Sequence, residues 1–504
     1  MPYTFLLLVT ASFLLAWEAS GRTRRPLVAA FSLLLFGGAL VGHLVAGDSL
    51  LASVTGLAAE VGLGLLLAAG VMALRRAAAT PFLLAGLLAL AVAGILYGSR
   101  LLLGRTLATG EASLLLELGP DDDITEVQPL LSRFGARYER AFPSITPEAD
   151  EDLAQTYLVF VSARHLDRLM EALRTDRENV DYVELNAQVR LTPPRAGATP
   201  AHDGPPVLED DPLVDQQWAL DAIGAHEAHA LLVDRQPVRR ARIAIVDTGV
   251  DGGHEDLQGV FHPSPAARDG HGHGTHCAGL AGAVTNNGLG MASLNWEGRF
   301  VEVAGYQALN DAGLGTLESI AQAILDATGD GADVISMSLG LRAPTPPRVL
   351  AEAIDYARRR GVIVVASAGN ANEDARLHAP SNVEGVLVIA AVDAHLRKAG
   401  FSNTNTRLER PLAAPGVNIL SLQPGGSYVA MSGTSMATPI VAGLIGVLRA
   451  LAPELSDADV YALLHETGSD GPDTDRVGRL IDAGAAIRAV LAPSPAPAAP
   501  APAP

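Results

Sequence analysis

Four short runs of apolar residues decide most of what this chain can fold into. RIAIV (242–246), DVISMS (333–338), VIVVAS (362–367) and VLVIAA (386–391) are near-continuous, and each is too short for a core helix. A strand with apolar side chains on both faces must be covered on both faces, which is the situation of a parallel sheet between two layers of helices. Helical spacing of apolar residues marks TLESIAQAILDAT (316–328), VLAEAIDYARRR (349–360) and SMATPIVAGLIGVLRAL (435–451), which separate and follow those runs. The pattern predicts a doubly wound α/β domain over residues 212–491, with any active site at the carboxyl ends of the strands.

The first 105 residues have a different character. Apolar runs cover Tyr3–Trp17, Leu27–Gly47, Leu50–Leu74 and Pro81–Gly98. A membrane span needs roughly 20 apolar residues. The last three runs fit; the first is short, but it lacks the basic stretch that leads a signal peptide and reads as a span too. Arg22, Arg24 and Arg25 lie between the first two spans, Arg75 and Arg76 between the last two, and only Asp48 between the second and third. Basic loops stay in the cytoplasm. The expectation is a four-helix transmembrane region over residues 1–105, in a multi-pass protein of the cell membrane whose remainder is extracytoplasmic. The lipid bilayer is therefore an expected partner. Arg100 and Arg105 run against the rule, and Glu60 within the third span is either a functional carboxylate or a packed one.

Charge excludes several function classes. The chain carries a formal net charge of −19, and the arginines near the spans leave the rest more acidic still. Nucleic-acid phosphates require clustered Lys and Arg, so no nucleic-acid partner is expected. The one lysine, Lys398, lies in no phosphate-binding loop. The one cysteine, Cys277, excludes a disulfide within the chain.

Residues 106–192 carry a second, smaller pattern. SLLLEL (113–118) and TYLVFVS (156–162) read as strands, VQPLLSRFGARYERAF (127–142) and HLDRLMEALRTDR (165–177) as helices, and VDYVELNAQVRL (180–191) as extended chain. Two βαβ-like halves predict a ferredoxin-like α+β unit. A segment rich in Pro, Gly and Asp then reads as a linker over 193–211. Residues 492–504, alternating Pro and Ala, read as a low-complexity tail.

Polar motifs sit where the larger domain puts its site. Asp247 follows the RIAIV run in IVDTGVD, Asn370 follows VIVVAS in ASAGN, Ser435 opens a helix in SGTSMATP, and His273 lies in DGHGHGTHCAGL. These are the parts of a nucleophilic hydrolase. Serine is a weak nucleophile until a base takes its proton. An imidazole does so near neutral pH, and a buried carboxylate fixes the tautomer and stabilises the imidazolium. A side-chain amide can donate to a tetrahedral oxyanion, worth roughly 3–4 kcal/mol.

IVDTGVD, HGTHCAG, SMSLG, ASAGN and SGTSMATP occur in the order found in the subtilisin-like serine proteases (subtilases), and the chain resembles that family over about residues 212–490. By position the resemblance implies Asp247, His273 and Ser435 as the triad and Asn370 as the oxyanion donor. It also implies that Ser338, Leu339, Gly340 and Gly369 receive the backbone of a peptide or protein substrate as an added strand. No cofactor is required by this chemistry. Asp256 and Asn287 match two calcium-liganding positions of the family, but the loop VTNNGLGMA (284–292) is shortened. Residues 106–192 resemble the subtilase pro-domain, a folding helper and inhibitor whose last strand ends in the active site. The chain's own pro-domain is thus a partner, and self-cleavage between Leu191 and Asp211 is expected.

Three histidines within six residues, His271, His273 and His276, invite a zinc reading. That reading leaves the other motifs unexplained. The resemblance makes His273 the base, His276 a structural neighbour and His271 a loop residue. Cys277, one turn beyond the base, reads as a buried small residue; some subtilases with a cysteine here are sensitive to mercurials. His378 falls near the floor of the pocket for the residue before the scissile bond. Competing functions are a catalytically silent peptide-binding module on a membrane stem, a Ser–Lys hydrolase, and a membrane sensor or transporter with an appended protease.

Overall fold

The computed structural model describes residues 110–197, 208–264 and 266–492. The expected membrane spans and the tail beyond residue 492 lie outside the described residues. By its internal contacts the chain divides into residues 1–112 with 162–166, and residues 113–161 with 167–504. Apart from Glu111, Ala112, Ser162 and Leu166, the named elements belong to the second unit.

Its amino-terminal part is β1 (Glu111–Leu118), α1 (Ile124–Arg133), β2 (Arg137–Arg140), β3 (Thr156–Ser162), α2 (Leu166–Thr175) and β4 (Val180–Leu185). The four strands form one sheet in the order β2-β3-β1-β4, with antiparallel β1–β4 and β2–β3 pairs. Asp123 caps α1 by accepting from Thr125 N–H, and Glu126 reaches back to the cap. The helix expected over 127–142 stops at Arg133, and Arg137–Arg140 is a strand instead. Gly135 takes a φ of 64°, which ends the helix as a left-handed cap does.

Two short strands follow, β5 (Gln188–Arg190) and β6 (Arg195–Ala196). The second lies inside the stretch expected to be linker. The far end of that stretch is also packed: Glu209 and Asp211 are buried.

The larger domain continues with α3 (Ala225–Leu232), β7 (Ala241–Asp247), α4 (His273–Gly282), β8 (Val301–Gln307), β9 (Leu314–Thr316), α5 (Leu317–Gly329), β10 (Val334–Met337), α6 (Arg348–Arg359), β11 (Ile363–Ser367), β12 (Leu387–Val392), β13 (Pro411–Pro415), β14 (Ile419–Gln423), β15 (Ser427–Ser432), α7 (Thr434–Leu451), α8 (Asp457–Thr467), β16 (Arg479–Leu480) and α9 (Ala483–Leu491). Seven strands form a parallel sheet in the order β8-β7-β10-β11-β12-β13-β16. Each apolar run named above is a strand of it. Two apolar cores cover its faces, one built around α4 and α7, the other around α5 and α6. Among the described residues α7 alone is long and apolar enough to cross a membrane, but 89% of that stretch is buried inside the domain.

Candidate active site

Four elements bring the expected residues to one end of the sheet. Asp247 is the last residue of β7, His273 the first of α4 and Ser435 the second of α7, while Asn370 lies three residues past β11. Close approach makes the first pairing possible. A Cβ on Gly274 would come within 2.0 Å of Gly249 O and 3.2 Å of Asp247 Cβ, so only glycine lets α4 start against the end of β7. Asp269 orients that start: its carboxylate accepts from the backbone N–H of His271, Gly272 and Thr275 and from the hydroxyls of Thr248 and Thr275, at 2.8–3.0 Å.

His273 Nδ1 lies 2.8 Å from Asp247 Oδ1 and 2.9 Å from Oδ2, with both side chains buried. A carboxylate only accepts, so Nδ1 carries the proton and Nε2 is the nitrogen left to act as a base. Nε2 is buried with no hydrogen-bond partner among the described residues. Burial pushes the imidazole pKa down, but the Asp247 carboxylate, with Cys277 beside it, outweighs that and holds the group well above its ordinary value.

Ser435 Oγ donates to Ser338 O at 3.1 Å rather than to the imidazole. A serine hydroxyl is a single rotor, and such catalytic bonds often close only around substrate. Proline contributes here as well. Pro439 lies in the first turns of α7 and has no N–H to offer the carbonyl four residues back, which is that of Ser435. That carbonyl accepts instead from Ser338 Oγ at 2.8 Å and Cys277 Sγ at 3.5 Å. Cys277 Sγ is also 4.0 Å from His273 Nδ1, so a buried thiol lies between the Ser435 backbone and the His273 ring. Burial raises the thiol's pKa and keeps it neutral.

Asn370 is held by a residue that motif reading alone did not single out. Its Oδ1 accepts from Thr434 N–H and Thr434 Oγ1, both at 2.9 Å. With the oxygen engaged, the NH₂ group is the free end of the amide. Asn370 and Ser435 line one cleft of about 460 Å³ together with Ser338, Leu339, Gly340 and Gly369. Gly369 takes a φ of 99°, and a Cβ there would come within 2.6 Å of Asn403 Nδ2. His378 lines the same cleft and bonds Glu373 Oε1 at 2.7 Å through Nε2, with Arg342 3.5 Å from that oxygen.

The cleft also holds part of the chain itself. β5 pairs antiparallel with β9, matching Val189 to Gly315, and Leu191 N–H donates to Gly313 O at 2.8 Å. Arg190, Leu191 and Thr192 line the cleft beside Ser435. On the other side β6 pairs with β15, just before Ser435. His271 lies beside this strand: a Cβ on Gly313 would lie 3.2 Å from Leu191 Cβ and 3.3 Å from His271 Nε2.

The three histidines do not converge. His276 Nε2 donates to the carbonyls of Ile419 and Val429 at 3.2 and 3.1 Å, and burial lowers its pKa to about 3, so the ring is neutral and structural. The calcium candidates do lie side by side: Asn287 Nδ2 donates to Asp256 Oδ1 at 3.3 Å. Asp256 Oδ2 accepts from Met291 N–H and Tyr428 O–H at 2.9 and 3.0 Å. Asp211, which the linker reading passed over, accepts from the backbone of Asn286 and Asn287, and burial raises its pKa to about 6. A calcium ion takes six to eight converging oxygens. Here Asn287 turns its NH₂ group to the carboxylate and its oxygen to Leu289 N–H. Asp211 and Asp256 are two buried carboxylates beside it.

The family model described as Subtilase family matches residues 239–481. The chain is 43% identical over 213 residues to the thermophilic serine proteinase of Bacillus sp. (strain AK1), covering 41% of this chain and about half, 51%, of that protein's length. It is 40% identical to thermitase of Thermoactinomyces vulgaris, over 41% of this chain and 74% of thermitase. It is 30% identical to an alkaline protease of Alkalihalobacillus alcalophilus, over 69% of this chain and 95% of the relative. Among solved structures, one of proteases from Pseudoalteromonas arctica superposes with a TM-score of 0.50 at 28% identity, over 56% of this chain and 99% of that one.

Proposed function

This chain belongs to the subtilase family of serine endopeptidases, and on that premise we propose that Asp247, His273, Ser435 and Asn370 are its catalytic residues. The observation that carries this reading is the buried His273–Asp247 pair at the end of the sheet that also presents Ser435 and Asn370. Ser435 Oγ turns from Ser338 O to His273 Nε2 and attacks the peptide carbonyl as Nε2 takes its proton. Asp247 holds the imidazolium that forms. The carbonyl oxygen becomes an oxyanion and accepts from Asn370 Nδ2, while the amino-terminal end of α7 adds favourable potential. Nε2 then gives its proton to the leaving amine, and water completes the second half in the same way. Substrate lies as a strand between β9 and Ser338–Gly340. No cofactor takes part.

The enzyme is proposed to be anchored in the cell membrane by residues 1–105, with its peptidase domain outside the cytoplasm. The arginine distribution supports this orientation. Residues 106–192 are proposed to be an inhibitory pro-domain. Three observations support that: the sheet order of β1–β4, the segment Gln188–Thr192 in the cleft, and a match to the alkaline protease that covers more of this chain than the peptidase domain alone can fill.

Self-cleavage is proposed between Leu191 and Asp211. The bond after Thr192 leads into Pro193 and Pro194. A proline nitrogen carries no hydrogen and its ring constrains the backbone, which disfavours cutting there. The cut is therefore placed beyond Pro194, once the strand has shifted. Expression of wild type beside Ser435→Ala, with blots for both termini, tests this. Two fragments in wild type and one full-length band in the variant are expected. Full-length protein alone in both, with peptides still hydrolysed by wild type, contradicts self-processing.

A further inference from the structure

A second cluster of chemically capable side chains lies outside the catalytic cleft. Glu209 Oε1 meets the Nδ1 atoms of both His226, at 2.9 Å, and His229. One donor atom from each of the three lies within 4.8 Å of the others. The two histidines are three apart on α3 and so share a helix face. The side chains of Glu209 and His229 are fully buried, while His226 is 26% exposed.

The far nitrogens settle what the near ones can be. His229 Nε2 lies 2.6 Å from Ser293 O, a carbonyl that only accepts, so Nε2 carries a proton. His226 Nε2 lies 3.1 Å from an Asp221 carboxylate oxygen, which likewise only accepts. In a neutral ring each Nδ1 is therefore a bare lone pair, and both point at the lone pairs of a carboxylate. Glu209 Oε2, also buried, has no hydrogen-bond partner among the described residues. A single cation set between them would accept all three lone pairs at once.

We propose that Glu209, His226 and His229 form a binding site for a divalent transition ion of the zinc class, through the two Nδ1 atoms and the carboxylate. Three nitrogen and oxygen ligands with a fourth position for water match zinc's tetrahedral preference. The Nε2–H bonds to Asp221 and to the Ser293 carbonyl are the outer partners that metal-bound histidines keep. His226 marks the side on which water reaches the ion. Such an ion would tie Glu209, near the start of the packed domain, to α3. The sequence signal was a His-x-x-His pair on a short helix, which the catalytic motifs overshadowed.

The test uses the full chain with Ser435→Ala, stripped with a chelator, dialysed against zinc chloride and then against metal-free buffer. Retained zinc is measured by elemental analysis, and thermal unfolding is recorded with and without zinc. One zinc per chain and a raised Tm are expected. His226→Gln and Glu209→Gln should each lose the retained zinc and the Tm increase, while His465→Gln, on α8, should lose neither. His226 is partly exposed, so its variant should fold, and an unchanged circular dichroism spectrum checks that. No zinc retained by the parent chain overturns the site. So does equal retention by a folded His226→Gln protein.

Discussion

His273 Nδ1 sits between the two carboxylate oxygens of Asp247, 2.8 Å from one and 2.9 Å from the other, with neither side chain reachable by solvent. With His273 as the proposed base, the pair sets the pH dependence of the enzyme. The base works only when neutral, and the carboxylate holds its pKa above the ordinary value. Activity is therefore absent below that pKa and appears as pH rises through it. Asp247→Asn removes the charge, so the rising limb of kcat/KM against pH should move to lower pH while kcat falls by about 10⁴. A limb that stays in place contradicts the pairing.

Asn370 presents its NH₂ group because Thr434 holds its oxygen. Asn370→Ala should lower kcat by about 10²–10³ with KM little changed, since the amide bonds the oxyanion and not the ground-state carbonyl. Steady-state kinetics on one peptide decides it. A loss confined to KM makes Asn370 a binding residue only.

His378 lines the cleft and is bonded to Glu373. The ring narrows the pocket, and small or acidic residues before the scissile bond are expected to be favoured. His378→Gly should enlarge the pocket and free the Glu373 carboxylate, shifting preference toward larger and basic residues in a peptide library. An unchanged profile removes His378 from specificity.

How much of this was legible in the sequence depended on where the information sits. Strands β7, β10, β11 and β12 were readable because burial on both faces makes them continuously apolar. β8, in VEVAGYQ, lies at the edge of the sheet, and β13, in PLAAP, begins and ends with proline; neither has that signature. RYER, within the overextended helix, has only four residues on which to show a period. The residues proposed as catalytic were readable as candidates because each follows a recognisable strand or opens a helix. Thr434, Asp269 and the Glu209–His226–His229 cluster were not, because their roles depend on which distant backbone or side chain they meet. Arg195 and Ala196 read as linker because their partner strand lies more than 200 residues away.

Asp333, at the entrance to β10, meets two arginine side chains and one backbone N–H. Its carboxylate bonds Arg239 and accepts from Arg242 N–H at 2.9 Å, and Arg449 lies 3.5 Å away. Burial pushes its pKa up, but these partners outweigh that and leave it below the ordinary carboxylate value. The stability it contributes is therefore present above the unfolded value of about 3.9 and is lost as pH falls through the lower folded value. In the Ser435→Ala background, Asp333→Ala should destabilise the domain by about 3 kcal/mol at neutral pH, because the mostly buried Arg449 loses its carboxylate and keeps the Leu455 carbonyl. Denaturant unfolding at pH 7 measures the loss, and a change within 0.5 kcal/mol, the range of a surface substitution, contradicts it.

Hydrolysis of a broad peptide library by the purified wild-type chain, run beside Ser435→Ala, tests the central claim most directly. The serine has a chemical role and its replacement is small, so the variant should keep the circular dichroism spectrum and thermal transition of a folded protein. Cleavage by wild type and none by the folded variant is the predicted result. Equal cleavage by both proteins, or none by a wild-type sample already freed of Gln188–Thr192, contradicts Ser435 as the nucleophile of this enzyme.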